Sequence, residues 1–192
     1  MSTLVIRPVE RFAEPEFGLL HQAVFADIQH ISQEWADLYA SEEVNAPPVQ
    51  DPMSPMHRLG AYLDDELVGW SCGWMERSRC YYMANSGVVQ AHQRKGIYTA
   101  LLGEARRMAE SLGATTIRSR HSVLNNPVLI AKLRFGFQIS GLSMPAGMGS
   151  LVELSYHLNP ARQKLYRQRA IAFGSPAPTK ADTPPASAGA AR

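Results

Sequence analysis

Cysteine is scarce in this chain: two residues, Cys72 and Cys80, among 192. So few cysteines supply no disulfide framework of the kind that staples small secreted domains. The pattern around them predicts a hairpin with a tight turn near Arg77-Ser78. That turn sets Cys80 opposite Met75 and not opposite Cys72, too large an offset for a disulfide. Two isolated cysteines also make no zinc site without histidines at matching positions, so no metal is expected. An excess of one charge is missing too. The net charge of +2 is too small to argue for a nucleic-acid surface, yet it does not conflict with an anionic ligand bound by local charge. No apolar run approaches the ~20 residues that cross a bilayer. The segment Met1 to Pro8 lacks the apolar core of a signal peptide and reads as a first strand. Neither nucleic acid nor membrane is an expected partner, and a cytoplasmic location is expected. There are no internal repeats.

What the chain does contain is ordinary globular content, 45% hydrophobic, in a length that fits one domain. It is organised around residues 88–102. The apolar pair Val88-Val89 runs into a basic, glycine-containing turn, Gln93-Arg94-Lys95-Gly96, and a helical pattern begins at once. Ile97, Leu101, Leu102, Ala105, Met108, Ala109 and Leu112 recur at the spacing of one helix face. A strand-turn-helix of this kind leaves N–H groups unpaired at the positive end of the helix dipole, which suits a phosphate. Gly96 offers close backbone approach, and Arg94 and Lys95 add charge.

Gln93-Arg94-Lys95-Gly96-Ile97-Tyr98 resembles the Q/R-x-x-G-x-G/A signature of the GNAT acyltransferase superfamily. Asn125-Asn126-Pro127 through Lys132-Leu133-Arg134-Phe135-Gly136-Phe137 is similar to the same family's Asn…Gly-Phe segment. The resemblance spans roughly residues 57 to 157. It departs from the family at Tyr98, where the signature has Gly or Ala. It departs again at Lys132, where many members carry a tyrosine that protonates the leaving thiolate.

The remaining pattern agrees in order. Strands are predicted at Leu4 to Arg7, His57 to Leu63, Glu66 to Glu76, Arg79 to Val89, Ala114 to Ser122, Phe137 to Leu142 and Ser150 to His157. Helical spacing marks Glu14 to Gln29 through Phe17, Leu20, His21, Val24, Phe25 and Ile28, and Ser32 caps a second helix. Val44 to Pro55 is a proline-rich loop. Along Val68, Trp70, Cys72 and Trp74 one face of a strand is apolar, while Gly69, Ser71 and Gly73 leave the other bare for a helix. A short helix after Asn125 or Asn126 is expected to turn Leu129, Ile130 and Leu133 inward. The fold class is α/β (α+β), with a mixed sheet of about seven strands flanked by helices. The strand-helix-strand crossover from Val89 to Ala114 makes its two strands parallel. Residues 1–158 form the domain, 159–173 a helix packed on it, and 174–192 a flexible Pro/Ala-rich tail.

The resemblance implies acetyl transfer from acetyl-CoA, as acyl donor, to a small-molecule or peptide amine. It implies two parallel strands splayed apart at the acyl-CoA site. Val88 and Val89 then hold pantetheine. Gln93, Arg94, Lys95, Gly96, Ile97, Tyr98 and Thr99 surround the phosphates, and Asn125 bonds the pantetheine. Lys132 points toward the cofactor, where it meets a phosphate, or is a solvated lysine. Trp35, Tyr39 and Met53 line the acceptor site or are core. Family habit implies a homodimer. The acceptor amine must lose a proton before it attacks. The strand 79–87 carries no acid, and Glu76 at the hairpin end is the nearest. Tyr82 and Asn85 can orient a water or the acceptor. His121, whose ordinary pKa lies near working pH, is the most plausible titrating group, or is a structural histidine of its strand. The alternative to an enzyme is a non-catalytic CoA-binding or acyl-CoA-sensing module.

Overall fold

The computed structural model describes residues 3–26, 54–145 and 149–170. The elements run β1 (Leu4–Val9), α1 (Glu16–Val24), β2 (His57–Leu63), β3 (Glu66–Glu76), β4 (Cys80–Val88), α2 (Ile97–Ser111), β5 (Thr116–Ser122), α3 (Asn126–Phe135), β6 (Gln138–Ser143), β7 (Leu151–His157) and α4 (Pro160–Ala170). A one-turn 3-10 segment, Gln90–His92, links β4 to the turn before α2. The strands form one seven-stranded sheet in the order β1-β2-β3-β4-β5-β7-β6. This is the mixed sheet flanked by helices that the pattern predicts. Positions 27–53 and 171–192 lie outside the described residues, and with them Ile28, Ser32, Trp35, Tyr39, Met53 and the expected tail.

Five of the six neighbour pairings are antiparallel; β4 with β5 is the parallel one. It is also the shortest ladder, limited to Cys80↔Thr116, Tyr81↔Ile117 and Tyr82↔Arg118. Beyond Tyr82 and Arg118 the two strands part. A β-bulge sits at the same place. β4 pairs Asn85 with Cys72 but Met83 with Gly73, so Ala84 is an extra residue.

α2 and α3 cover one face of the sheet, and α1 lies on the other. A Cβ on Gly69 would stand 3.3 Å from Leu101 of α2, and one on Gly87 would stand 2.9 Å from Val24 of α1. The bare face of β3 is therefore filled by a helix, as its glycines predict. The core lies beneath α2, where Leu59, Val68, Tyr81, Val88, Ile97, Leu101, Leu102, Ile117 and Leu154 pack together.

Two expectations need correction. Cys80 faces Glu76, not Met75, because the hairpin loop is one residue longer than a two-residue turn and takes Arg79 into the left-handed region at φ 57°. Both thiols are free and buried, and desolvation pushes each up to about 11. The second correction concerns α3. Ile130 and Leu133 are half exposed, and Lys132 is the residue fully inside.

Two glycine substitutions test this packing in opposite directions. Gly69→Ala should destabilise by about 1–3 kcal/mol in chemical denaturation, because its Cβ meets the Gly87 carbonyl at 3.0 Å. Gly103→Ala, in mid-helix with nothing within 4 Å, should stabilise by about 0.5–1 kcal/mol.

Candidate active site

The turn into α2 has the geometry its sequence promises. Arg94 and Gly96 both adopt positive φ, 61° and 82°. No side chain caps the helix, and the first intrahelical bond shown runs from Ala100 N–H to the Gly96 carbonyl. The N–H groups before it have no intrahelical acceptor. A Cβ on Gly96 would meet nothing within 4 Å, so open space lies against the backbone there. Gln93, Arg94, Lys95 and Thr99 are exposed around that space, while Ile97 is buried and anchors the helix below. A phosphate-bearing ligand fits these residues: open backbone, a helix N-terminus and two cationic side chains.

Tyr98 turns away from the turn. Its hydroxyl lies 3.4 Å from Ser86 Oγ on β4, and burial pushes it up to about 12, so it stays protonated. Val88 and Val89 end the diverging edge of β4. The Val88 carbonyl accepts from Gln93 Nε2 at 3.1 Å, and Val89 N–H donates to the Val68 carbonyl at 3.0 Å. One backbone group of this pair is thus tied to β3, and another is held by the signature glutamine.

On the helix-covered face, the gap between the strands holds Lys132. Its Nζ donates to Ser119 Oγ on β5 at 2.7 Å and lies 3.8 Å from Met83 Sδ on β4. The Phe137 ring is 4.8 Å away. Lys132 has 0% exposure, and desolvation pushes its pKa down to about 7. It lies out of solvent, contrary to the reading of a solvated lysine, and its partners are Ser119, Met83 and the Phe137 ring. His121 Nε2 lies 3.2 Å from the same Ser119 oxygen. Desolvation, with the charge of Lys132 second, pushes His121 down to about 3. The expectation that His121 titrates near working pH is corrected: burial keeps it neutral there. Asn125 caps α3, its Oδ1 accepting from Val128 N–H at 3.3 Å.

On the opposite face, the extra residue Ala84 brings Tyr82 and Asn85 to the same side although they are three positions apart. Asn85 Oδ1 accepts from Trp70 Nε1 at 2.7 Å, so its Nδ2 donates to His21 Nε2 at 3.0 Å. His21 then carries its hydrogen on Nδ1. Tyr82 lies against Trp74, ring centroids 5.0 Å apart, and its hydroxyl accepts from Arg120 Nε at 3.2 Å. Glu76 is bound through both oxygens by Arg118 Nη2, at 3.1 and 3.2 Å. His21, Arg118 and Arg120 were not singled out as site residues in the sequence. The signal for the arginines was available, since Arg118 and Arg120 alternate on the strand parallel to β4. Among the described residues no group of three or more His, Cys, Asp or Glu side chains could hold a metal, and no helix is long and apolar enough to cross a membrane.

A mixed sheet that parts at its single parallel join, with an open glycine turn and a helix N-terminus after the parted strand, is the GNAT fold. The chain belongs to the acetyltransferase (GNAT) family, whose model matches residues 25–137. No curated protein matches it in sequence. Solved structures do. The ribosomal-protein-S18-alanine N-acetyltransferase from Escherichia coli is 13% identical with a TM-score of 0.60, over 82% of this chain and 95% of that one. A Bacillus subtilis acetyltransferase in complex with CoA is 20% identical with a TM-score of 0.57, over 82% and 100%. Nourseothricin acetyltransferase is 22% identical with a TM-score of 0.51, over 54% of this chain, which spans 66% of that protein's length. At such identities the likeness is one of fold.

A buried lysine without an acidic partner costs stability, which gives a test of why it is there. The folded pKa of Lys132 lies below its unfolded value of 10.5. Between the two the unfolded chain binds more protons, so this residue's contribution rises with pH from about 7 upward. The limiting slope is about 1.4 kcal/mol per pH unit. Melting curves from pH 6 to 9 should show the rise in the wild type. Lys132→Met should flatten it and melt no lower than the wild type at pH 6.

Proposed function

We propose that the chain is an N-acetyltransferase that passes an acetyl group from acetyl-CoA to a primary amine, by direct attack and without an acyl-enzyme. The observation that carries the reading is the parting of β4 from β5 directly before an open, basic helix N-terminus. Related folds in complex with CoA, and with acetyl coenzyme A in a putative Bacillus anthracis streptothricin acetyltransferase, support the choice of donor. When bound, the donor supplies an activated acyl thioester.

The residues divide the work by position. The N–H groups of Gly96 to Thr99, with Gln93, Arg94 and Lys95, take the phosphates. The unpaired edge of β4 from Met83 to Val89 takes the pantetheine as an added strand would, and Asn125 closes on it from α3. Gln93 holds the Val88 carbonyl and so fixes where that edge ends. The acceptor enters from the α1 face, because α2 and α3 fill the other. There Tyr82 and Asn85 orient it, and Glu76 acts by holding Arg118. With His121 neutral and Glu76 bound to an arginine, water carries the acceptor's proton away. A homodimer accords with the family's habit.

Those same two findings, a histidine without a titration near neutrality and a carboxylate already paired, favour the second reading, a CoA-sensing module without turnover. Mixing the protein with acetyl-CoA and a panel of amines, amino acids, antibiotics and peptides separates the two. Thiol release that depends on the amine supports transfer; saturable binding without release supports sensing.

Acetyl-CoA should raise the melting temperature, since it binds the folded state. Gly96→Asp should abolish the rise by adding bulk and negative charge at the phosphate turn. The space there is open, so the variant should fold with a backbone strain of about 1–2 kcal/mol. An undiminished rise in the folded variant sinks the phosphate assignment.

A further inference from the structure

β5 carries two arginines, Arg118 and Arg120, on the face of the sheet away from α2 and α3, since Ser119 between them points to Lys132. This is the α1 face, from which the acceptor enters. Arg118 belongs to the last pair of the parallel ladder, with Tyr82. Arg120 comes one pleat later, where β4 has already parted. It reaches back across the gap, and its Nε donates to the Tyr82 hydroxyl at 3.2 Å. The Cζ atoms of Arg118 and Arg120 stand 5.9 and 5.6 Å from the centre of the Tyr82 ring, which lies against Trp74.

Few of the donors gathered here are used. A guanidinium carries five N–H donors on its nitrogens. Arg118 gives Nη2 to Glu76, and its shielded Nε has no hydrogen-bond partner among the described residues. Arg120 gives Nε to Tyr82. Among the described residues its Nη groups have no acceptor and it makes no ion pair. The Arg118 side chain keeps 38% exposure and Arg120 is exposed, so solvent reaches both. The Tyr82 hydroxyl accepts from Arg120, which leaves its own hydrogen to give. Glu153 faces Arg120 across the β5–β7 ladder. It leans instead over Gly141 of β6, its Oε2 3.2 Å from the place of a Cβ there.

Two forked cations with a phenol hydroxyl between them suit a carboxylate, whose oxygens take parallel N–H bonds. Position sets how far that carboxylate lies from the reacting atoms. With the phosphates at the turn after Val89 and the pantetheine along the β4 edge, the thioester comes to the Met83 end of that edge. Arg118 and Arg120 span about 7 Å of β5 at the same level. An acceptor whose carboxylate sits there has its amine only a few bonds away. A free amino acid meets that demand. A peptide N-terminus, whose first carbonyl belongs to an amide, does not.

We infer that the acceptor is a free amino acid whose carboxylate is held by Arg118 and Arg120 beside Tyr82. The inference rests on the acetyl-transfer reading above and names its acceptor. The amine nitrogen bonds the acetyl carbon, and the carbon–sulfur bond breaks with its electron pair left on sulfur. The proton lost by the amine passes through water and restores the thiol. The carboxylate takes no part in the exchange of bonds; it places the amine.

The test is thiol release from acetyl-CoA by the full chain, with a panel of free amino acids, their amides and the amines that lack the carboxyl group. An amino acid amide has a less basic amine than the acid, so more of it is neutral near pH 8 and reactivity alone favours the amide. The site should reverse that order, with kcat/KM for the acid about tenfold or more above both analogues and the gap narrowing in salt. Arg120→Gln should close the gap through a raised KM for the acid. Arg120→Lys, which keeps the charge and loses the fork, should fall between. A wild type that acetylates amides or simple amines as well as the acids overturns the inference and leaves the transfer reading standing. So does an Arg120→Gln variant that slows acid and amide equally. No release with any amine overturns the transfer reading, and this one with it.

Discussion

A parallel join of three residue pairs decides what the rest of the molecule can do. The crossover through α2 makes β4 and β5 parallel, and the extra residue Ala84 comes two positions after their last shared pair. The bulge lies in the ladder with β3, which resumes at Asn85, while the edge toward β5 is unpaired from Met83 onward. The same bulge turns Tyr82 and Asn85 to one face. The parting from β5 provides the cleft, and the bulge against β3 the arrangement of side chains on its α1 side.

Much of this was legible. The run from Val88 to Leu102 announced strand, turn and helix, and each of the seven predicted strands is present in the sheet. The bare face of β3 was rightly given to a helix. What stayed hidden depended on exceptions to periodicity. A one-residue bulge leaves no mark in an alternation read strand by strand. The inward lysine of α3 was hidden because Ile130 and Leu133, which by type belong inside, lie partly in solvent. Spacing by residue type assumes that apolar residues take the core. Here the interior position belongs to Lys132, two residues after Ile130. Partners were equally invisible. Nothing in the one-dimensional pattern says that Glu76 is spoken for by Arg118, or that Asn85 spends its amide on Trp70 and His21.

The two ends of the cleft are electrostatically unlike. The turn into α2 is open to water, where Arg94 and Lys95 are screened charges. Where β4 and β5 part, the interior is dry, and the single amine of Lys132 dominates it because little else answers that charge. The two cysteines, raised well above neutrality, add no competing sulfur nucleophile.

The short join also bears on how the chain assembles. The meander β2–β3–β4 closes between neighbours along the chain, and β6–β7 closes as a hairpin against β5. These local contacts form early and cheaply. The seam between the two blocks needs α2 already in place as the crossover, so the cleft is the last part of the sheet to be sewn. It is also the part that opens at least cost. The place where the two blocks of strands meet is thus where the sheet is held by its fewest residue pairs.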